Sequence, residues 1–327
     1  MWVRVLGAAA GGGFPQWNCS CPQCRAVRDG SRPCRSRTQS SVAVSADYRR
    51  WFLLNASPDI RAQIESFPAL HPHGVRDSPL QAVLLTDAEL DHTLGLLLLR
   101  EAGDLEVHAT AAVHETLCRG TSLLQTLGAY THVEWRPVAT GIEVSLADGL
   151  SYRAFHVPTN KRARFGTGEG GEGVVGYRIT NGHTGRALVY LPGAQKLTAS
   201  VRAHLQGCTC LLFDGTCWQD DELIQLGIAG KTSREMGHLP IDGADGSLEQ
   251  LAPLPIERKI YIHINNTNPI LLEDGPERRI VEEYGLEVAV DGLELEISSW
   301  WYPTLRASSE PCALSRSATT AGIRSTR

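Results

Sequence analysis

Three side chains carry the sharpest chemical signal: Asp91 and His92, adjacent in the run Asp87-Ala88-Glu89-Leu90-Asp91-His92, and His263 in Tyr261-Ile262-His263-Ile264-Asn265-Asn266. Each group follows a short apolar run. A strand that ends at the lip of a sheet projects the side chains after it into a cleft. Two imidazoles and one carboxylate suit a divalent first-row metal, and with open positions opposite they form the facial triad of non-haem Fe(II) oxygenases. The competing interpretation makes Asp91 a helix N-cap and the histidines hydrogen-bonded core residues. Asp87 and Glu89 are groups that hold a histidine ligand, plain solvated carboxylates, or oxygen ligands for a second ion.

Cys19-Ser20-Cys21-Pro22-Gln23-Cys24 is the second constellation. Three thiolates in six residues can surround one Zn²⁺, which favours sulfur and tetrahedral geometry. A fourth ligand would be a histidine or a polar residue after His263, with Asn266 the candidate. Such a site would pin the neighbouring Gly11-Gly12-Gly13-Phe14-Pro15 loop. Three exposed free thiols would instead be an oxidation liability. Cys208, Cys210 and Cys217 flank an apolar strand and read as small buried hydrophobes.

Further candidates lie near chain reversals. Asp214 stands at the tip of Leu211-Leu212-Phe213, and His238 ends the polar loop Thr232-Ser233-Arg234-Glu235-Met236-Gly237; both are candidates for proton transfer. Asn265 and Asn268 could bind a substrate's amide or carboxylate groups, or satisfy turn backbone. Arg37 and Ser40, in Arg37-Thr38-Gln39-Ser40-Ser41, could meet an anionic substrate group or lie in a solvated loop.

The elements that must position these residues follow from the apolar pattern. Strands are expected over 2–6, 41–45, 51–55, 82–85, 105–108, 133–135, 142–146, 151–157, 174–180, 187–191, 210–213, 259–263 and 293–298. Helices are expected over 60–67, 90–102, 110–116, 194–205, 247–252 and 277–284, with the leucines of 94–99 forming one buried face. The alternation suggests two packed sheets with helices outside. Residues 161–173, rich in Gly and charge, read as a mobile loop or lid. Residues 1–298 read as one domain, and 299–327 as a disordered tail.

The chain has 327 residues, 42% hydrophobic and 20% charged, and a net charge of −5. That is a composition for a globular core, and it offers nothing to nucleic acid or an anionic membrane. No secretory leader or membrane-spanning run is expected, so the reading is cytoplasmic. A homodimer is compatible with the sequence.

Taken together, the motifs resemble one family. Gly11-Gly12-Gly13-Phe14-Pro15-Gln16-Trp17-Asn18-Cys19, Cys21, Cys24, Arg37-Thr38-Gln39-Ser40-Ser41, Asn55-Ala56-Ser57-Pro58-Asp59-Ile60-Arg61, Asp91-His92, Arg234-Glu235-Met236-Gly237-His238 and His263-Ile264-Asn265-Asn266-Thr267-Asn268-Pro269 closely resemble the coenzyme PQQ synthesis protein B family. The resemblance covers about 1–298. It implies an α/β metallo-β-lactamase fold, an αββα sandwich of two mixed sheets flanked by helices. It is nearest to members with a cysteine-bound structural zinc, such as phosphonate-pathway phosphodiesterases and tRNA-maturation nucleases. In those hydrolases two histidines precede Asp-His and a further aspartate bridges two metals. Here Asp87 and Glu89 replace the histidines, and Tyr190-Leu191-Pro192-Gly193 lacks the bridging aspartate. Asp91, His92 and His263 align with one metal position only, so hydrolysis by a bridging hydroxide is placed in doubt.

The resemblance implies a role in making pyrroloquinoline quinone (PQQ) from a Glu and a Tyr. One Fe(II), replaceable by zinc, would serve O₂-dependent hydroxylation of the tyrosine ring. The alternatives are a carrier of PQQ or its precursor toward the periplasm, and a metal-dependent hydrolase.

Overall fold

A computed structural model describes residues 1–160, 165 and 173–298. The expected tail, and all but Phe165 and Gly173 of the expected lid, lie outside the described residues.

Fourteen strands form two seven-stranded sheets among the described residues. The first holds β1 (Trp2–Gly7), β2 (Ser41–Ser45), β3 (Trp51–Leu54), β4 (Leu80–Leu84), β5 (Asp104–Ala109), β6 (His132–Pro137) and β14 (Glu294–Glu296), in the order β14-β1-β2-β3-β4-β5-β6. The second holds β7 (Glu143–Ser145), β8 (Leu150–His156), β9 (Val175–Asn181), β10 (Ala187–Leu191), β11 (Cys210–Asp214), β12 (Arg258–Ile262) and β13 (Glu287–Val288), in the order β13-β12-β11-β10-β9-β8-β7. Both are mixed. Antiparallel pairing gives way to parallel pairing at β3–β4 and at β10–β11.

Side-chain alternation builds the sandwich. Phe52 and Leu54 point between the sheets, where they meet Tyr152, Tyr177 and Leu188. Trp51 and Leu53 point to the outer helices. On the second sheet Cys210 and Leu212 face inward, and Leu211 and Phe213 outward. Strands buried on both faces read as unbroken apolar runs, which is why their positions were visible in the sequence.

Three expectations need correction. The helix expected over 90–102 is a short α-helix, Leu90–Thr93, followed by a 3₁₀ stretch, Leu94–Leu99. Residue 56 breaks it: Ala56 N–H donates to the His92 carbonyl and the Ala56 carbonyl accepts from Gly95 N–H, both at bonds that a continuing helix would use. Leu94 and Leu98 are consequently exposed rather than part of one buried face. The helix expected over 194–205 begins only at Ala199, because Ala194 is held by the Asp214 carboxylate and by Leu239 N–H. The cysteine cluster runs into a helix, α1 (Pro22–Asp29), that was not expected; Cys21 caps it and Pro22 opens it.

Candidate metal centre

Parallel strands aim their carboxyl ends at one rim of the sandwich. β4 runs into Asp87, Asp91 and His92, β11 ends in Asp214, and β12 delivers His263. Ligand-binding clefts in mixed α/β sheets form at such strand ends. Asp91 and His92 therefore come from the first sheet and His263 from the second.

One ligating atom each from Asp91, His92 and His263 lies within 4.8 Å of the others. Asp91 Oδ2 is 3.2 Å from His263 Nε2 and 3.7 Å from His92 Nε2. His92 Nε2 is buried and makes no hydrogen bond. A buried, unsatisfied ring nitrogen is costly unless something binds it. Asp91 is not an N-cap: that position falls to Glu89, and Asp91 sits inside the first helical turn. Two imidazole nitrogens and one carboxylate oxygen facing a common point fit a divalent first-row cation.

Neighbours fix both rings. The buried Asp87 carboxylate takes His92 Nδ1–H at 2.8 Å, so Nε2 is the nitrogen turned toward the common point. Thr216 Oγ1 lies 2.9 Å from His263 Nδ1 and gives its own hydrogen to Asp214, so it accepts from the ring and directs His263 Nε2 inward. This is the geometry of groups that orient metal ligands. His263 has a left-handed backbone, φ 58, which costs a non-glycine residue about 1–3 kcal/mol. Ile264, hydrogen-bonded to Ala8 and Ala10, holds it there.

Charge is balanced inside the cluster. Burial opposes ionisation of Asp87, but His92 more than offsets it and brings the pKa to about 2. Burial likewise opposes charge on His92, yet Asp87 and Asp91 raise its pKa to about 9. Asp91 is held well below the usual carboxylate range: burial opposes this, and His92 and His263 prevail. Burial pushes His263 down.

Beside it stands a hydrogen-bonded His–Asp pair. His238 Nδ1 is 2.7 Å from Asp214 Oδ2, and its ring stacks on His263 at 5.3 Å. Asp214 has no exposed surface, so it reaches solvent chemistry only through His238.

The thiols of Cys19, Cys21 and Cys24 also converge within 4.8 Å. Asn266 Nδ2 approaches Cys24 Sγ at 3.3 Å and Cys21 Sγ at 3.7 Å. Turning that carboxamide over would present its oxygen to the same point. Burial pushes the Cys21 thiol up to about 12, a state that a cation would reverse. Three sulfurs and a carboxamide suit Zn²⁺. The described cysteines are free of disulfides, and Cys208, Cys210 and Cys217 are buried.

Three expected substrate contacts are corrected. Arg37 is buried and donates to the Ala289 and Arg35 carbonyls. Ser40 is buried against the Tyr190 hydroxyl. Asn268 is buried, caps Ile270 and holds the Gly215 carbonyl. None has surface to offer a substrate: backbone carbonyls hold Arg37 and Asn268, and the Tyr190 hydroxyl holds Ser40. Asn265 alone of the four is partly exposed.

The sequence reading assigned no role to Thr216 or Asn55. Asn55, also left-handed at φ 61, binds Thr86 and Tyr190 behind Asp87. A polar residue ending an apolar strand was the one signal available for both.

A family model described as a beta-lactamase superfamily domain matches residues 50–264. The chain is 47% identical over 304 residues to the coenzyme PQQ synthesis protein B of Methylococcus capsulatus, covering 90% of this chain and 99% of that protein. It is 44% identical to the protein of the same name from Azoarcus, over 91% of this chain and 100% of that one. The crystal structure of Zn(2+)-bound PqqB from Methylobacterium extorquens superposes with a TM-score of 0.84 at 42% identity, over 91% of this chain and 100% of that chain. A diphosphatase of the PhnP family shares the fold, with a TM-score of 0.63 at 20% identity over 90% of this chain and 96% of that one.

Proposed function

Because the chain belongs to the coenzyme PQQ synthesis protein B family, with the metallo-β-lactamase fold, we propose that it serves PQQ biosynthesis by hydroxylating the tyrosine ring of a Glu-Tyr-derived precursor with Fe(II) and O₂. The observation that carries this reading is the cluster of Asp91, His92 and His263, whose His92 Nε2 is buried without a partner. Asp87, at a position where a second metal would need a histidine, turns its carboxylate to His92 instead. One cation with open positions suits oxygen chemistry better than the paired-metal hydroxide of a hydrolase.

Bound iron would supply oxygen activation; zinc bound at the same donors would not. The rest falls to the chain. Asp87 and Thr216 set the tautomers of the two imidazoles. Asp214 holds His238 Nδ1, leaving Nε2 to accept the proton lost from the substrate ring. Asn265, at the lip, is the candidate for the substrate's amide or carboxylate. Cys19, Cys21, Cys24 and Asn266 would hold zinc and so fasten the glycine loop whose Gly11 lies against Asp91.

Anaerobic reconstitution with Fe(II), then oxygen uptake with a Glu-Tyr dipeptide and a two-electron reductant, tests this; the second oxygen atom leaves as water. The expected product carries one added oxygen atom on the tyrosine ring. Full turnover with zinc alone, or quinone binding without oxygen uptake, would defeat the proposal and favour a hydrolase or a carrier.

A further inference from the structure

His108 and Glu106 lie two residues apart on β5 and so share its inner face, where β4 places Ala82 and Leu84. An acid and an imidazole are unusual there. His108 is 3% exposed, and its Nδ1 lies 2.8 Å from the Tyr152 hydroxyl of the opposite sheet. Its Nε2 lies 2.6 Å from Glu106 Oε1. The carboxylate has no hydrogen to give, so Nε2–H must donate to it, and Nδ1 must accept from the Tyr152 hydroxyl. Glu106 is partly exposed, and its second oxygen meets Arg136. Stability does not require this arrangement, since apolar groups of the same shape can replace a buried hydrogen-bonded pair at little cost.

The arrangement connects inward. The Tyr152 ring meets the Tyr177 ring edge-on at 5.4 Å. The Tyr177 hydroxyl donates to the Leu85 carbonyl at 2.9 Å, and two residues further along the chain Asp87 grips His92. Bonded and packed groups thus run without a break from a ligand of the metal centre to a phenol poised against a base.

We infer that Tyr152 is a redox-active tyrosine that, with His108 as its proton acceptor, drains oxidising equivalents from the metal centre. This rests on the oxygen-activating reading above. The oxidant is an iron ion left two electrons above its ferrous state when, with no substrate bound, dioxygen is reduced there with two electrons and two protons from a thiol reductant and one oxygen atom leaves as water. One electron passes from Tyr152 to that ion, which falls by one oxidation state. The phenolic proton passes to His108 Nδ1. A neutral phenoxyl radical remains, beside an imidazolium paired with Glu106. A thiol reductant restores the electron, and His108 returns the proton. Burial, which keeps His108 below its ordinary pKa against the pull of Glu106, leaves the ring neutral and able to accept.

The test is electron paramagnetic resonance on iron-loaded protein, frozen shortly after exposure to oxygen without Glu-Tyr. The expected signal is a tyrosyl radical that narrows with ring-deuterated tyrosine. It should be lost in Tyr152→Phe and weakened in Glu106→Gln, whose change sits at a partly exposed position. Oxygen consumption with no tyrosyl signal, or with one undiminished in Tyr152→Phe, overturns the inference and leaves the hydroxylase reading standing. Should Tyr152→Phe fail to fold, an unchanged signal in Glu106→Gln overturns it equally. Absence of oxygen consumption with and without Glu-Tyr defeats both.

Discussion

Asp87 does for His92 what Thr216 does for His263, but with a full charge rather than a hydroxyl. That difference predicts unequal costs. Replacing Asp87 by Asn keeps the shape and removes the charge, so affinity for a divalent cation should fall about 10–100-fold, as when such supporting groups are lost elsewhere. Competition against a chromophoric chelator measures it, and an unchanged constant would show that His92 needs no such support. Gly11 makes a second prediction. A Cβ there would lie 3.3 Å from the Asp91 carboxylate, so Gly11→Ala should weaken metal binding while the denaturation midpoint barely moves. The Asp91, His92 and His263 cluster was legible in sequence because His263 directly follows an apolar strand and Asp91-His92 lie in the turn of helix after another. Thr216 and Asn55 were not, since their value lies in partners brought together from other strands.

The segments between strands decide where ligands point. Gly95 packs so closely on the preceding loop that a Cβ would lie 2.2 Å from the Ser57 carbonyl oxygen. Gly95→Ala forces that backbone to move, and a loss of about 1–3 kcal/mol is expected from urea unfolding. Cation loss should follow, because the same junction carries His92. α1 poses a different dependence. It starts inside the cysteine cluster, so stripping zinc from that site should release α1 and the glycine loop together. Hydrogen exchange would then rise over residues 10–29 while the inter-sheet core stays protected. The central strands, such as β3, β10 and β11, proved readable because both their faces are apolar. The break after Thr93 was not, since a backbone bond from Ala56 creates it and no local pattern announces such a bond.

Across the molecule, the two sheets meet through apolar contacts everywhere except at a few polar bridges, and His108 with Tyr152 is one. This bridge predicts a pH dependence. Burial lowers the folded-state pKa of His108, with Glu106 opposing. Above about pH 6.5 the ring is neutral folded or unfolded, and its contribution is complete. As pH falls through that value the unfolded chain takes up a proton that the folded chain refuses, and stability declines toward the folded-state pKa. His108→Gln cannot titrate, so its unfolding free energy should fall less steeply between about pH 6.5 and 5. An identical slope would mean the ring is charged in the fold. The αββα plan itself was visible from the motifs as a set. The sheet order was not, because pairing between distant strands leaves no mark on either one.

That order has one more consequence. β1 is flanked by β14, which lies far later in the chain, and the Met1 ammonium donates to the Ile297 carbonyl. During synthesis β1 must therefore wait, one edge bare, until β14 has left the ribosome. Nascent chains of this protein should be sticky until that late moment.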